Sequence, residues 1–254
     1  TTLITNTVLE RTGAKVGPRH FMLAAHCVVN YEANELQWWF QPGNDVWVSP
    51  DKNTQNATFR PLPIVQTYVP QSWFDTCTVP CGVNVLNPSH PPDLAVVVVS
   101  VDTPDIAQAD VDLTPVLPGD PLVIMGYGCE QGVGQPFGSD YARLKLEEVT
   151  AQPASALLHP GTYVSSGDEG NVAASYVITP GARNDSSAAS LCPGDSGGPL
   201  YRNDAGQKTL VGVNAYYTFQ DGDGVSVTNW HTRLDAASRY GIGAWLENLG
   251  VNVV

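Results

Sequence analysis

The sequence predicts an all-β fold. Short runs rich in β-branched and aromatic residues recur along most of the chain, and turn-forming residues separate most of them. Composition agrees: 24 glycines and 20 prolines are scattered through 254 residues without forming a repeat, as suits a chain that turns often. With 43% apolar and 15% charged residues, such a chain can bury a substantial core, as one large domain or two small ones.

The strand-like runs come in order. Val46-Trp-Val-Ser49, Ile64-Val-Gln-Thr-Tyr-Val69, Leu94 to Val101 and Leu122-Val-Ile-Met125 occupy the first half. Ser175-Tyr-Val-Ile-Thr179, Thr209-Leu-Val-Gly-Val213 and Val225-Ser-Val-Thr228 follow, with turns such as Leu117-Pro-Gly-Asp120 and Asp221-Gly-Asp-Gly224 between runs. Many short strands without alternating helices indicate a sandwich or barrel, not βαβ units. The Pro- and Asp-rich stretch from Pro104 to Pro121 reads as a linker between two β units of one protein. One longer helix is expected, from Leu234 to Leu249, where Leu234, Ala237, Ile242, Trp245, Leu246 and Leu249 recur at roughly helical spacing despite Gly241 and Gly243.

Charge narrows the partners. Twelve basic against 25 acidic residues leave a net charge of −13, which disfavours nucleic acid and anionic membranes, since both attract positive surfaces. The longest apolar run, Leu94 to Val101, is far short of a membrane span. The first residues, Thr1-Thr-Leu-Ile-Thr-Asn6, have no basic start and no long apolar stretch, so the sequence reads as the mature form of an exported protein. Five cysteines leave at least one thiol unpaired within the chain. Cys77-Thr-Val-Pro-Cys81 suits a small disulfide loop better than zinc, which would need further ligands of fitting spacing. No metal or other cofactor is expected, and no loop has a calcium-ligand pattern. The sequons Asn56-Ala-Thr58 and Asn184-Asp-Ser186 carry little weight.

The strongest local signal is Gly194-Asp-Ser-Gly-Gly-Pro-Leu200. A serine hydroxyl is a poor nucleophile until a base takes its proton, and its attack creates an oxyanion that needs donors. Glycines on either side of Asp195-Ser196 let the backbone bend so that the Gly194 and Ser196 amides point at one spot. The base would come from elsewhere in the sequence. Phe21-Met-Leu-Ala-Ala-His-Cys27 sets His26 behind an apolar run with two alanines that permit close packing. A histidine beside apolar residues is ordinarily a packed core histidine, and His20, His90, His159 and His231 are read that way. The third group would be a buried carboxylate that orients the imidazole. Asp93 opens the most apolar stretch of the chain, Pro92-Asp-Leu-Ala-Val-Val-Val-Val99, where an unpaired carboxylate would be costly.

The order His, Asp, Ser and all three motifs resemble the trypsin/chymotrypsin family. Pro18 to Cys27, Gly126-Tyr-Gly128, Leu210-Val-Gly-Val213 and Trp245-Leu246 extend the likeness over most of the chain, except the first ten residues and about 46–92. The resemblance implies two packed six-stranded antiparallel barrels in a single peptidase domain spanning 1–254. The first barrel would cover about 1–112, the second about 113–233, and a C-terminal helix about 234–249. It implies a secreted, monomeric serine endopeptidase acting on polypeptides. Ser196 would be the nucleophile, His26 the general acid/base, Asp93 its partner, and Gly194 and Ser196 the oxyanion donors. A non-catalytic binding module that kept the fold and an esterase are the rival readings.

Four departures from the family pattern bound what carries over. Zymogen-activated members begin with an Ile-Val-Gly-Gly-like terminus whose amine pairs with the aspartate before the nucleophile. Asp195 stands in that place without such a terminus, so residues preceding Thr1 supply the amine, Asp195 has another partner, or this form is weakly active. Cys27 lacks its usual partner, Arg11 falling there, so the resemblance implies Cys129–Cys192 and Cys77–Cys81 bridges with Cys27 a buried free thiol. Ser190 stands where trypsins carry an aspartate, and Ala215, Tyr216 and Tyr217 line the substrate strand, Tyr217 where a glycine is usual. Arg/Lys cleavage is therefore not indicated, and small uncharged residues before the cut are favoured. Finally, the interval from His26 to Asp93 is long and contains Trp73 and Phe74, which are expected to pack as part of a surface insertion.

Overall fold

The computed structural model describes residues 1–5, 10–30, 32–76, 90–129, 143–157, 167–183, 188–204, 206–219 and 226–254. Two β units divide them. The first is a closed antiparallel barrel of β1 (Thr2–Thr5), β2 (Glu10–Lys15), β3 (His20–Leu23), β6 (Asp45–Ser49), β7 (Arg60–Tyr68) and β8 (Ala95–Val99), in the order β1-β2-β3-β8-β7-β6. A small hairpin, β4 (Val29–Asn30) with β5 (Glu35–Leu36), leaves the barrel just after His26, and α1 (Gln71–Thr76) follows β7.

Binary patterning explains the closure. In β7 the buried residues Leu62 and Ile64 alternate with exposed neighbours, so one face turns inward. In β8 only Val98 is not fully buried, because this strand is covered on both sides. Phe21, Met22, Leu23, Phe40, Val96, Val97 and Trp73 fill the interior, each such side chain contributing about 1.5–3 kcal/mol. Trp73 is 1% exposed and Phe74 packs against the same core, so these aromatics of the long interval serve packing.

The second unit holds β9 (Pro121–Gly126), β10 (Lys145–Thr150), β11 (Tyr176–Ala182), β12 (Pro199–Asp204), β13 (Gln207–Phe219) and β14 (Ser226–Arg233). They form one six-stranded sheet in the order β10-β9-β12-β13-β14-β11. Here the architecture departs from two closed barrels. The sheet curls until the Gln152 amide reaches the Ile178 carbonyl at 2.9 Å, but no ladder joins β10 to β11 among the described residues. A short helix, α2 (Glu169–Ser175), precedes β11.

The C-terminal helix is shorter than its periodicity suggests: α3 spans Ile242–Asn248. Two local features delay it. The buried Asp235 carboxylate accepts the Val116 and Ala237 amides at 2.8 and 2.9 Å and the Arg233 guanidinium at 3.0 Å, holding the chain in a turn. Gly241, at φ +62°, then adopts the left-handed conformation that interrupts a helix. Beyond α3 the chain end returns to the linker, where Val111 bridges Val253.

Cys129 and Cys192 form a disulfide with Cα atoms 5.7 Å apart, and Cys27 is a buried free thiol. The expected Cys77–Cys81 bridge lies outside the described residues.

Candidate active site

His26 stands just after β3, where the chain leaves the first barrel for the β4–β5 hairpin. β3 runs through Leu23 into a single 3-10 turn, Ala25–Cys27, whose alanine and cysteine are buried while the His26 side chain remains 24% exposed. Asp93 reaches it from just before β8 and is fully buried. The Nδ1–H of His26 donates to Asp93 Oδ2 at 2.6 Å, and the His26 backbone N–H donates to Oδ1 at 2.9 Å. Asp93 therefore fixes both the ring and the chain that carries it. Burial alone would pull the imidazole pKa down. Asp93, with a smaller contribution from Cys27, more than offsets this and holds it well above the usual histidine value.

Two second-unit residues that sequence reasoning did not single out hold the Asp93 segment in place. Thr232 of β14 donates its hydroxyl to the Asp93 carbonyl at 3.0 Å, and Tyr176 of β11 donates to the Pro91 carbonyl at 3.2 Å. A threonine and a tyrosine within apolar strands give no sequence signal of this role.

The loop around Ser196 bends as its glycines require. Gly194 and Gly197 have φ of +99° and +83°, values that L side chains rarely adopt. The amides of Asp195, Gly197 and Gly198 are engaged, on the carbonyls of Cys192, Asn214 and Asp195. Those of Gly194 and Ser196 make no hydrogen bond among the described residues, which leaves two donors of one bend available to a ligand. Thr12 from the first barrel donates to the Gly194 carbonyl at 2.7 Å. The loop lies directly on the chain that carries His26, for a Cβ added to Gly197 would stand 3.0 Å from the Ala24 nitrogen. No hydrogen bond yet joins Ser196 to His26; such bonds often tighten only when substrate binds.

Behind the loop is a buried polar network. Asn214 donates through Nδ2 to the Met125 and Asp195 carbonyls at 3.1 and 3.3 Å. Its Oδ1 accepts from His231 Nδ1 at 2.9 Å, and the other ring nitrogen, Nε2, lies 3.0 Å from the Thr179 hydroxyl. Burial pushes the His231 pKa down to about 3, so the ring is neutral and keeps one donor and one acceptor. Read from sequence as a packed histidine, it is one. The signal that could have revealed the network is an asparagine directly after the apolar run Leu210-Val-Gly-Val213.

The residues expected from the sequence to line a substrate pocket separate into two groups. Ser190 is turned to the backbone: its hydroxyl accepts the Ala182 N–H and donates to the Ala182 carbonyl, both at 2.8 Å. Asn229 ties the same segment, accepting the Leu191 amide at 2.8 Å and donating to the Ala189 carbonyl at 2.6 Å. Ala215 is buried, at 1% exposure. Tyr216 stacks on Trp230 with ring centroids 5.3 Å apart and meets the edge of Tyr176 at 5.8 Å. Tyr217 packs with Val227 against the Cys129–Cys192 disulfide. Among the described residues no cluster of acidic, histidine or cysteine side chains could hold a metal ion, and no helix is long and apolar enough to cross a membrane.

Comparison with known proteins bears on the family and the fold. A family model described as trypsin matches residues 6–229. Among solved structures the chain is similar to neuropsin, a serine protease expressed in the limbic system of mouse brain. The two share 18% identity and a TM-score of 0.60, over 98% of this chain and 93% of that one, a likeness of fold. No curated protein matches the sequence.

Proposed function

Because the chain belongs to the trypsin family and is a serine endopeptidase, we propose that it cleaves peptide bonds through His26, Asp93 and Ser196 as a single secreted peptidase domain. The observation that carries this reading is the double hydrogen bond from His26 to the buried Asp93 carboxylate, beside a loop whose Gly194 and Ser196 amides have no acceptor among the described residues. In the first half-reaction Ser196 Oγ attacks the scissile carbonyl carbon while His26 Nε2 takes the hydroxyl proton. The carbonyl electron pair moves onto oxygen, where the Gly194 and Ser196 amides receive it. His26 then returns the proton to the departing amine, and an acyl-enzyme remains on Ser196. Water, deprotonated by the same imidazole, releases the acid. Asp93 stays ionised throughout and stabilises the imidazolium.

Specificity follows from what occupies the pocket. Ser190 brings no charge and its hydroxyl is committed to Ala182, so nothing there rewards an arginine or lysine. The Tyr217 ring, packed on the disulfide and Val227, takes volume a larger side chain would need. Substrates with small uncharged residues before the cut fit best. A disulfide in the second unit accords with export to an oxidising compartment.

The test is stoichiometric labelling of Ser196 by a fluorophosphonate. Labelling is expected in the folded protein and absent in Ser196→Ala, with turnover down by about 10⁶. Folded protein that never labels would refute the assignment.

A further inference from the structure

Asp195 carries a charge that its own loop does not neutralise. The residue is 7% exposed, and its carboxylate oxygens accept the Gly128 amide at 2.6 Å and the Cys192 amide at 2.8 Å. The glycines of Gly126-Tyr-Gly128 make room for it, since a Cβ on either would overlap the carboxylate. Burial raises the Asp195 pKa to about 6, against the opposing pull of the two amides and of Lys145. A carboxylate ion so buried is costly unless a positive charge accompanies it.

Arg202 is paired with Asp112 and Arg233 with Asp235. Lys145, the first residue of β10, faces the site. Its ammonium donates to the Gly128 carbonyl. Gly128 thus binds Asp195 through its N–H and Lys145 through its C=O. Lys145 and Asp195 line one cavity of about 220 Å³ together with Gly126, Cys129 and Ser190. Glu147, two residues along the same strand and so on the same face, is the other charged group lining it.

We propose that Lys145 is the counter-charge of Asp195 and, through it, a positioning residue that holds the nucleophile loop with its Gly194 and Ser196 amides set for the oxyanion. The proposal rests on the serine-peptidase reading above. It assigns the charge-balancing role in the loop to a side chain of β10, with no free amine required.

A double-mutant cycle tests it. Lys145→Gln is expected to lower kcat tenfold or more while KM changes less than threefold, and Lys145→Arg to restore kcat to within threefold. In an Asp195→Asn background, Lys145→Gln should change kcat less than twofold, because no ion remains to balance. Equal losses in both backgrounds, or wild-type kcat in Lys145→Gln, would overturn the proposal. Stability against pH provides a second measurement, usable if Asp195→Asn does not fold or if the wild type proves inactive. A carboxyl whose folded pKa is raised from 3.8 to about 6 favours the fold below the lower value, and that stabilisation is lost as pH rises through the upper one. Lys145→Gln removes a cause that lowers the pKa, so its stability relative to wild type should keep falling above pH 6. A difference curve flat with pH overturns the proposal. Failed labelling of the wild type, with that curve as expected, would sink the peptidase reading instead.

Discussion

Asp93→Asn separates orientation from nucleophilicity in the proposed site. The aspartate accepts twice from His26, at 2.6 Å from Nδ1 and at 2.9 Å from the backbone N–H. Asparagine offers one oxygen and one NH₂ group. If its oxygen stays on the ring, the NH₂ meets the backbone N–H, donor against donor. If it turns over, the NH₂ faces Nδ1 and drives the ring proton to Nε2, so the imidazole can no longer take the proton of Ser196. A wrong tautomer of this kind costs about 10⁴ in kcat, or about 5.4 kcal/mol of barrier at 1.36 per decade. The pH profile moves as well. Catalysis needs the neutral imidazole, and Asp93 holds the His26 pKa up, so wild-type kcat/KM rises through that raised value. With the carboxylate gone, burial is opposed only by the smaller contribution of Cys27, and the rise shifts to lower pH while the plateau drops. Steady-state kinetics on a small peptide across the acid-to-alkaline range measure both. A plateau within an order of magnitude of wild type, or an acid limb that does not move, would refute the reasoning.

Two further outcomes follow from the packing. In Tyr217→Gly the ring against the disulfide and Val227 is removed, so kcat/KM for peptides with a bulky apolar residue before the cut should rise about 10–200-fold over small ones, the range one hydrophobic contact can discriminate; an unchanged ratio in a substrate panel would show that Tyr217 does not narrow the pocket. Gly197→Ala should destabilise by more than the ~1–2 kcal/mol of a left-handed L residue, because the new Cβ would lie 2.6 Å from the Thr12 carbonyl oxygen and 3.0 Å from the Ala24 nitrogen, both backbone. Gly206→Ala, at φ +92° with nothing within 4 Å, is its control, and equal urea midpoints for the two variants would contradict the clash.

The fold was most legible where one face of a strand is buried. The apolar runs around Val46, Ile64, Leu94 and Leu122 are strands β6 to β9 in the structure. Strand β10 has buried Gly126 and Val123 opposite its Lys145 and Glu148, but none of its own residues is fully buried. An edge strand of this kind has no alternation to read. Short β1 and β2 hide for a different reason: polar Thr2 and Thr12 are buried beside apolar Ile4 and Ala14, so burial does not follow an apolar alternation. The C-terminal helix was overdrawn because periodicity reports burial, and Leu234 is buried by the turn at Asp235 as fully as a helical residue would be.

The candidate site divides along the same line. His26, Asp93 and Ser196 can be read from sequence because each must be one residue type in a narrow local setting: a histidine in a tight alanine turn, an aspartate at the mouth of an apolar strand, a serine between glycines. Their supports obey no such constraint. Any hydroxyl in reach of the Asp93 carbonyl could do what Thr232 does, and any cation on the right strand could stand where Lys145 stands. Those roles are set by distances between elements far apart in the chain: 139 residues separate Asp93 from Thr232. This is why the partner of Asp195 was the open question of the sequence and becomes a concrete one in the fold. The buried carboxylate demands compensation wherever the chain can supply it, and β10 brings Lys145 to the carbonyl of the same glycine whose amide binds Asp195. Chemistry dictates that a positive charge be near; only the topology decides which residue bears it.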